Sequence, residues 1–228
     1  MRTAFANGGV MESSELIWLR PEGAGVGRPA SRSREEITEV AVRVADRDGL
    51  PGVSMRNVAA ELGTGAGTLY RYVDNRDDLL DLMADHVAGE FALDNATGDW
   101  LDDLVDVGLQ AREIHRRHPW LPELTLTRPV TGPNGIEATE YVLAVLADHP
   151  ASDSEKLVAL AMLHAVVASA ARAEASTVDM MRSARFIAHV VAQGGHPHLA
   201  ALNPDPAGGD PLPTALRRIL RGLLSGVD

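Results

Sequence analysis

The side chains with the clearest chemical purpose lie between residues 54 and 76. The run Gly63-Thr64-Gly65-Ala66-Gly67-Thr68-Leu69-Tyr70-Arg71-Tyr72-Val73 concentrates hydroxyls, phenols and a guanidinium, and it holds two of the chain's three tyrosines. At 100° per residue, Leu69 and Val73 share one helical face with Ala66 beside them. Thr64, Gly67, Thr68 and Arg71 point the opposite way, with Tyr70 and Tyr72 on the flanks. That outward set suits a polyanion. Thr64, Thr68, Tyr70 and Tyr72 can donate to phosphate oxygens, Arg71 and Arg76 supply positive charge, and Arg56 can reach a base edge or a phosphate. Gly65 and Gly67 each weaken a helix by about 1 kcal/mol relative to alanine. In return they let backbone N–H groups approach an anion at the helix start. Burial in a core accounts for at most one of the two tyrosines.

The elements that must carry these residues can be read from periodicity. Ile37, Val40, Ala41, Val44 and Ala45 form one apolar stripe. Ser33 with Glu36 forms a capping box at its start, and Gly49 with Pro51 closes it. Ser54 caps a second helix over Met55 to Leu62, and Gly63 ends it. The Gly-containing turn and the helix after it complete a helix-turn-helix. A fourth helix follows Asp74-Asn75, with Leu79, Leu80, Met83, His86 and Val87 periodic. Asp99 caps Trp100 to His118, a short piece holds Pro119 to Thr127, and Gly132-Pro133-Asn134 reads as a loop before Ile136 to Asp148. Ser152 or Ser154 caps a helix to Ala175, Val178 to Gln193 forms another, and Gly194 to Pro211 reads as a loop. Pro213 to Val227 is a last amphipathic helix. With no convincing strand, the expected class is all-α, in three parts: a flexible basic arm (1–32), a helix-turn-helix DNA-binding domain (33–80) and a helical bundle (81–228).

Charge divides the chain the same way. The net charge of −11 lies entirely after residue 76: the first part balances ten arginines against ten acids. Arg20, Arg28, Arg32 and Arg34 sit in one short stretch broken only by Glu22, so a neutral front with a basic arm, fused to an acidic body, suits contact with polyanions. The absence of cysteine excludes disulfides, thiolate catalysis and Cys-based zinc sites. The Gly63–Gly67 run follows a helix where a nucleotide loop requires a strand, and no lysine follows it. No H-E-x-x-H or G-x-S-x-G occurs, so no enzyme is expected. The longest apolar run, Leu157 to Ala171, is interrupted by His164 and is shorter than the ~20 residues of a membrane span. The N-terminus lacks the apolar region of a signal peptide, which points to a cytoplasmic protein without membrane contact.

The strings Ser54-Met55-Arg56-Asn57-Val58-Ala59-Ala60-Glu61-Leu62-Gly63, Gly67-Thr68-Leu69-Tyr70-Arg71-Tyr72-Val73 and Asn75-Arg76-Asp77-Asp78-Leu79-Leu80 resemble the DNA-binding domain of TetR-family transcriptional regulators. Trp100 through Arg116-Arg117-His118-Pro119-Trp120, Gly132-Pro133-Asn134 and Arg172-Ala173-Glu174-Ala175 are similar to the tetracycline-repressor-type C-terminal domain. The resemblance covers about residues 30–195. It implies Arg56, Thr68, Tyr70, Tyr72 and Arg76 as contacts to double-stranded DNA. Ala66 and Gly67 depart from it, standing where many relatives place a polar base reader and a Pro or Ser, which shifts weight to DNA shape and to Arg56. Gly27-Arg28-Pro29 resembles a minor-groove hook, or is a solvated linker.

The resemblance further implies a homodimeric repressor released from a pseudo-palindromic operator by a small-molecule effector. Candidate linings of an effector cavity in the second domain are Trp100, Leu104, Gln110, His115, Trp120, Tyr141, Met162, His164 and Phe186, each also explicable as core. His164 is an imidazole in an apolar helix and needs a partner. The last helix, with Leu216, Ile219, Leu220, Leu223 and Leu224, is either a contact across a two-fold axis or an ordinary core helix; the contact is expected. No cofactor is implied. The alternative is a zinc-responsive regulator using His115 with His118, or His196 with His198.

Overall fold

The computed structural model describes residues 16–20, 32–93, 96–128, 132–202 and 209–225. Among these, all regular structure is helical, as the periodicity predicts. The chain divides into two compact units, the first ending at His86 and the second beginning at Val87.

The first unit is built on α1 (Arg34–Asp48), α2 (Met55–Glu61), α3 (Ala66–Leu69) and α4 (Arg76–Ala88), of which α4 continues across the division. Ser33 caps α1 by accepting from the Glu36 N–H at 3.0 Å. The Glu36 carboxylate pairs with Arg32, so Ser33 and Glu36 make only one arm of the expected box. At the other end Gly49 takes φ 71° and donates its N–H to the Ala45 carbonyl, a backbone that glycine adopts without steric cost. The predicted stripe of Ile37, Val40, Ala41, Val44 and Ala45 is buried throughout. Ser54 caps α2 by accepting from the Asn57 N–H at 3.1 Å, and Gly63 follows at φ 65°.

The structure corrects the reading of residues 1–32 as one mobile arm. Ile17–Leu19 forms a 3₁₀ turn with Ile17 buried. Arg20 pairs with Asp74 and Asp78.

The second unit contains α5 (Trp100–Arg117), α6 (Leu121–Thr125), α7 (Pro133–Val145), α8 (Asp153–Ala175), α9 (Thr177–Ala192), α10 (Pro197–Ala200) and α11 (Leu212–Leu224). Asp99 caps α5 by accepting from the N–H groups of Leu101 and Asp102. Ser152 caps α8 in a complete capping box with Glu155. Pro133 is the first residue of α7 rather than part of a loop, because its fixed φ and missing N–H suit the opening turn of a helix. A short α10 interrupts the expected 194–211 loop.

The core is a layer of α5, α8 and α11, with α7 against α5 and α6 against α8. Leu104, Leu163, Leu216 and Leu220 are at its centre. Gly108 of α5 is required there: a Cβ on it would lie 2.7 Å from Leu216 Cδ1 and 3.0 Å from Leu163 Cδ1. The last helix is therefore core. Leu212, Leu216, Leu220 and Leu224 all face inward within the single chain, while Ile219 and Leu223 are only partly buried. The exposed apolar surface lies instead on α8 (Leu157, Val158, Met162) and α9 (Met180, Met181, Phe186, Ile187). By length and composition α8 could span a membrane, but its other face packs Ala159, Leu163 and Val167 into the core.

Leu216→Ala is expected to destabilise the protein by about 2–5 kcal/mol in urea unfolding without changing its mass in solution. A change in assembly state with unaltered stability would return α11 to an interface role.

Candidate functional site

Three buried residues orient the segment after α2. Leu69 and Val73 are fully buried and Tyr72 is 5% exposed. α3 spans a single turn, after which the chain tightens: Tyr72 N–H donates to Leu69 O at 2.8 Å and Arg71 N–H to Thr68 O at 3.3 Å. This turn carries Tyr72 inward, which corrects its place among the outward contacts. Tyr70 remains out, 52% exposed. Arg56, Gly67 and Arg71 are exposed, Thr64 and Thr68 partly so, and the Thr64 hydroxyl donates to that of Thr68 at 3.0 Å. Gly65 and Gly67 have no atom within 4 Å of a built Cβ, and neither has positive φ. The chain's own packing requires neither glycine.

The basic residues divide into braces and unpaired groups. Arg76 donates from Nε to Val53 O and from Nη2 to Leu50 O, both at 2.8 Å, holding the start of α4 against the Leu50–Gly52 turn. Arg34 donates to Tyr72 O at 3.1 Å and to Arg20 O at 2.9 Å. Sequence reasoning missed this role, since the partner carbonyls are far along the chain and leave no local pattern. The guanidinium groups of Arg56 and Arg71 make no hydrogen bond or ion pair with the described residues. Arg28 lies outside the described residues.

The expected effector residues do not converge on one cavity. An open hollow of about 500 Å³ is lined by Ala92, Thr97, Asp102, Asp103, Asp106, Gln110 and Tyr141, so Gln110 and Tyr141 join it from the expected set. Its acidic residues fall at i, i+1 and i+4 along α5, a signal that reads in sequence as a solvated face. Asp103 is buried and accepts the Thr97 N–H at 2.9 Å, while Gln110 bonds both backbone groups of Ala92. Burial, followed by the charges of Asp103 and Asp106, raises the Tyr141 pKa.

Elsewhere in this unit, Trp100 packs edge-on to His149 at 4.7 Å. Trp120 is buried edge-on to His118 at 5.8 Å, and His118 Nε2 lies 2.8 Å from Glu90 Oε1. Met162, His164 and Phe186 are exposed, so His164 does not sit in a dry core, although enough protein surrounds its ring to lower its pKa. His115 is buried with Nδ1 unpartnered, and burial, then repulsion from His164 and His118, pushes its pKa down to about 4. Among the described residues no group of three or more His, Asp or Glu side chains is arranged to hold a metal ion, and the zinc alternative gains no support.

Residues 37–83 match the family model for bacterial regulatory proteins of the tetR family, and residues 92–225 match that for the tetracyclin repressor-like C-terminal domain. The chain is 35% identical to the HTH-type transcriptional repressor DrrR1 of Streptomyces coeruleorubidus, over 95% of this chain and 86% of that protein. It also resembles the crystal structures of ActR from Streptomyces coelicolor. The complex with (S)-DNPA has TM-score 0.75 and 28% identity, covering 86% of this chain and 98% of that one. The complex with actinorhodin has TM-score 0.72 and 26% identity, covering 85% and 97%.

His115 stays neutral in the folded protein at pH values where the unfolded chain takes up a proton. The His115 contribution to stability is therefore expected to be full above about pH 6.5 and to fall with acidification until about pH 4, by on the order of 3 kcal/mol. His115→Gln is expected to flatten that slope in urea titrations at pH 7, 5.5 and 4.5; an unchanged slope would show that other groups carry it.

Proposed function

The chain belongs to the tetR family of bacterial regulatory proteins and is a DNA-binding transcriptional regulator rather than an enzyme, and from that premise we propose that it is a homodimeric repressor whose operator is freed by a small-molecule effector. The observation that carries this reading is the outward set on α2 and α3, which owes nothing to the core. Tyr70, Arg56 and Arg71 are exposed, the two guanidinium groups have no partner among the described residues, and Gly65 and Gly67 leave open space beside the backbone. Thr64, Gly67, Thr68 and Tyr70 approach the backbone and base edges of a major groove. Arg56 and Arg71 contribute charge, with Arg76 bracing the unit and adding its field.

Dimerisation follows from the apolar residues left exposed on α8 and α9, Met181 and Phe186 foremost, at 70% and 68% exposure. Exposed apolar side chains of this number are covered when a second copy packs on them. Two copies would present reading helices about 34–36 Å apart, to successive major grooves of a pseudo-palindromic site. The protein works in the cytoplasm, where its operator is.

ActR binds actinorhodin and (S)-DNPA in its solved structures, and by analogy this chain takes a small organic effector in its second unit. Trp100, His115, Trp120, Tyr141, Met162, His164 and Phe186 are the candidate contacts, of which Tyr141, with Gln110, lines the hollow beside α5. An effector that prefers one arrangement of the dimer shifts the population away from the DNA-bound spacing.

On an operator selected from source-genome fragments, Tyr70→Ala and Arg56→Ala are each expected to weaken binding by about 1–3 kcal/mol. Their unfolding midpoints should match wild type. Wild-type affinity in both variants would remove them from the interface. Met181→Glu with Phe186→Glu is expected to convert the dimer to a monomer in sedimentation equilibrium; a dimer that persists would place the interface elsewhere.

A further inference from the structure

We propose that Leu16–Arg20 is a brace of the DNA-reading unit, in which Ile17 and Arg20 are positioning residues that hold the 70–75 turn and so fix how Thr68, Tyr70 and Arg71 are presented. This rests on reading α2 and α3 as the DNA-binding surface. Four observations converge on it. Ile17 is 1% exposed, in an apolar Leu16-Ile17-Trp18-Leu19 run within a region otherwise rich in Gly, Ala, Ser, Glu and Pro. The Arg20 guanidinium pairs with both Asp74 and Asp78, and the Arg20 side chain is 15% exposed and that of Asp78 8%, so the pair is largely shielded from solvent. Asp78 also accepts the Asp74 N–H at 3.2 Å, and its own N–H donates to Asn75 Oδ1 at 2.8 Å. Arg34 then ties the two parts together, donating to Tyr72 O in the turn and to Ile17 O and Arg20 O in the segment.

The turn held in this way is the one that sends Tyr72 inward and Tyr70 outward. α3 has a single turn of its own, too short to be stable alone, and the links on its C-terminal side come from Arg34 and Arg20. A guanidinium that grips two carboxylates is a directional clamp, which a point charge reproduces only in part. Removing it leaves Asp78 as a buried carboxylate without its cation.

The test uses the full chain carrying Arg20→Gln or, separately, Ile17→Ala. Amide hydrogen exchange is read without DNA, and affinity is read on a selected operator duplex. Exchange is expected to rise at amides 70–75 while amides 40–45 of α1 keep their wild-type protection. Operator affinity should fall about tenfold, and Arg20→Lys should recover part of that loss. Unchanged exchange at 70–75 overturns the brace. So does a loss of protection spread evenly over residues 34–86, which is unfolding rather than positioning. Raised exchange with wild-type affinity overturns the link to DNA. A wild-type chain that selects no duplex refutes the regulator reading instead, and the exchange comparison still decides whether the segment braces the turn.

Discussion

Leu69 and Val73 expose no surface and Tyr72 almost none, and the orientation of the reading surface follows from that burial. α3 is too short to hold its own direction through backbone hydrogen bonds. Apolar anchors on one side must do so, and once they are seated, Thr68, Tyr70 and Arg71 have nowhere to point but outward. Burying a Leu or Val side chain is worth about 1.5–3 kcal/mol, ample to select one rotation of a four-residue helix over its neighbours.

Around those anchors, arginines do structural work that their charge disguises. Arg76 and Arg34 donate to backbone carbonyls at turns, and Arg20 joins the carboxylates of Asp74 and Asp78. Hydrogen bonds from a charged donor contribute about 1.5–3 kcal/mol each, and here they secure segments without regular structure of their own. Counting arginines on the first unit therefore overstates the charge offered to DNA. The guanidinium groups of Arg56 and Arg71 have no such partners among the described residues and keep their charge exposed.

The second unit obeys a different constraint. α5, α8 and α11 approach closely enough that Gly108 has no room for a side chain, which buries one face of each helix. α8 is apolar beyond that face, and the surplus, continued by Met180, Met181, Phe186 and Ile187 of α9, remains exposed in the single chain. Core packing thus leaves apolar side chains of α8 and α9 facing outward. The hollow beside α5 is polar and acidic where the sequence suggested an aromatic lining, because Trp100 and Trp120 are drawn to His149 and His118 instead.

The long helices, the caps at Ser33, Ser54 and Asp99, the turn glycines at 49 and 63, and the family to which the chain belongs were legible in the amino-acid order, because each depends on residues within a few positions of one another. The fate of Tyr70 and Tyr72 was not: a tightened turn after α3 breaks the 100° progression that placed both on the flanks. Nor could a wide apolar face on the last helix say whether it meets its own bundle or another chain, since periodicity records that a face is buried and not by what. The docking of Ile17 and Arg20 was hidden for the same reason. Asp74 and Asp78 lie more than fifty residues further along, and only the folded chain brings such distant charges together.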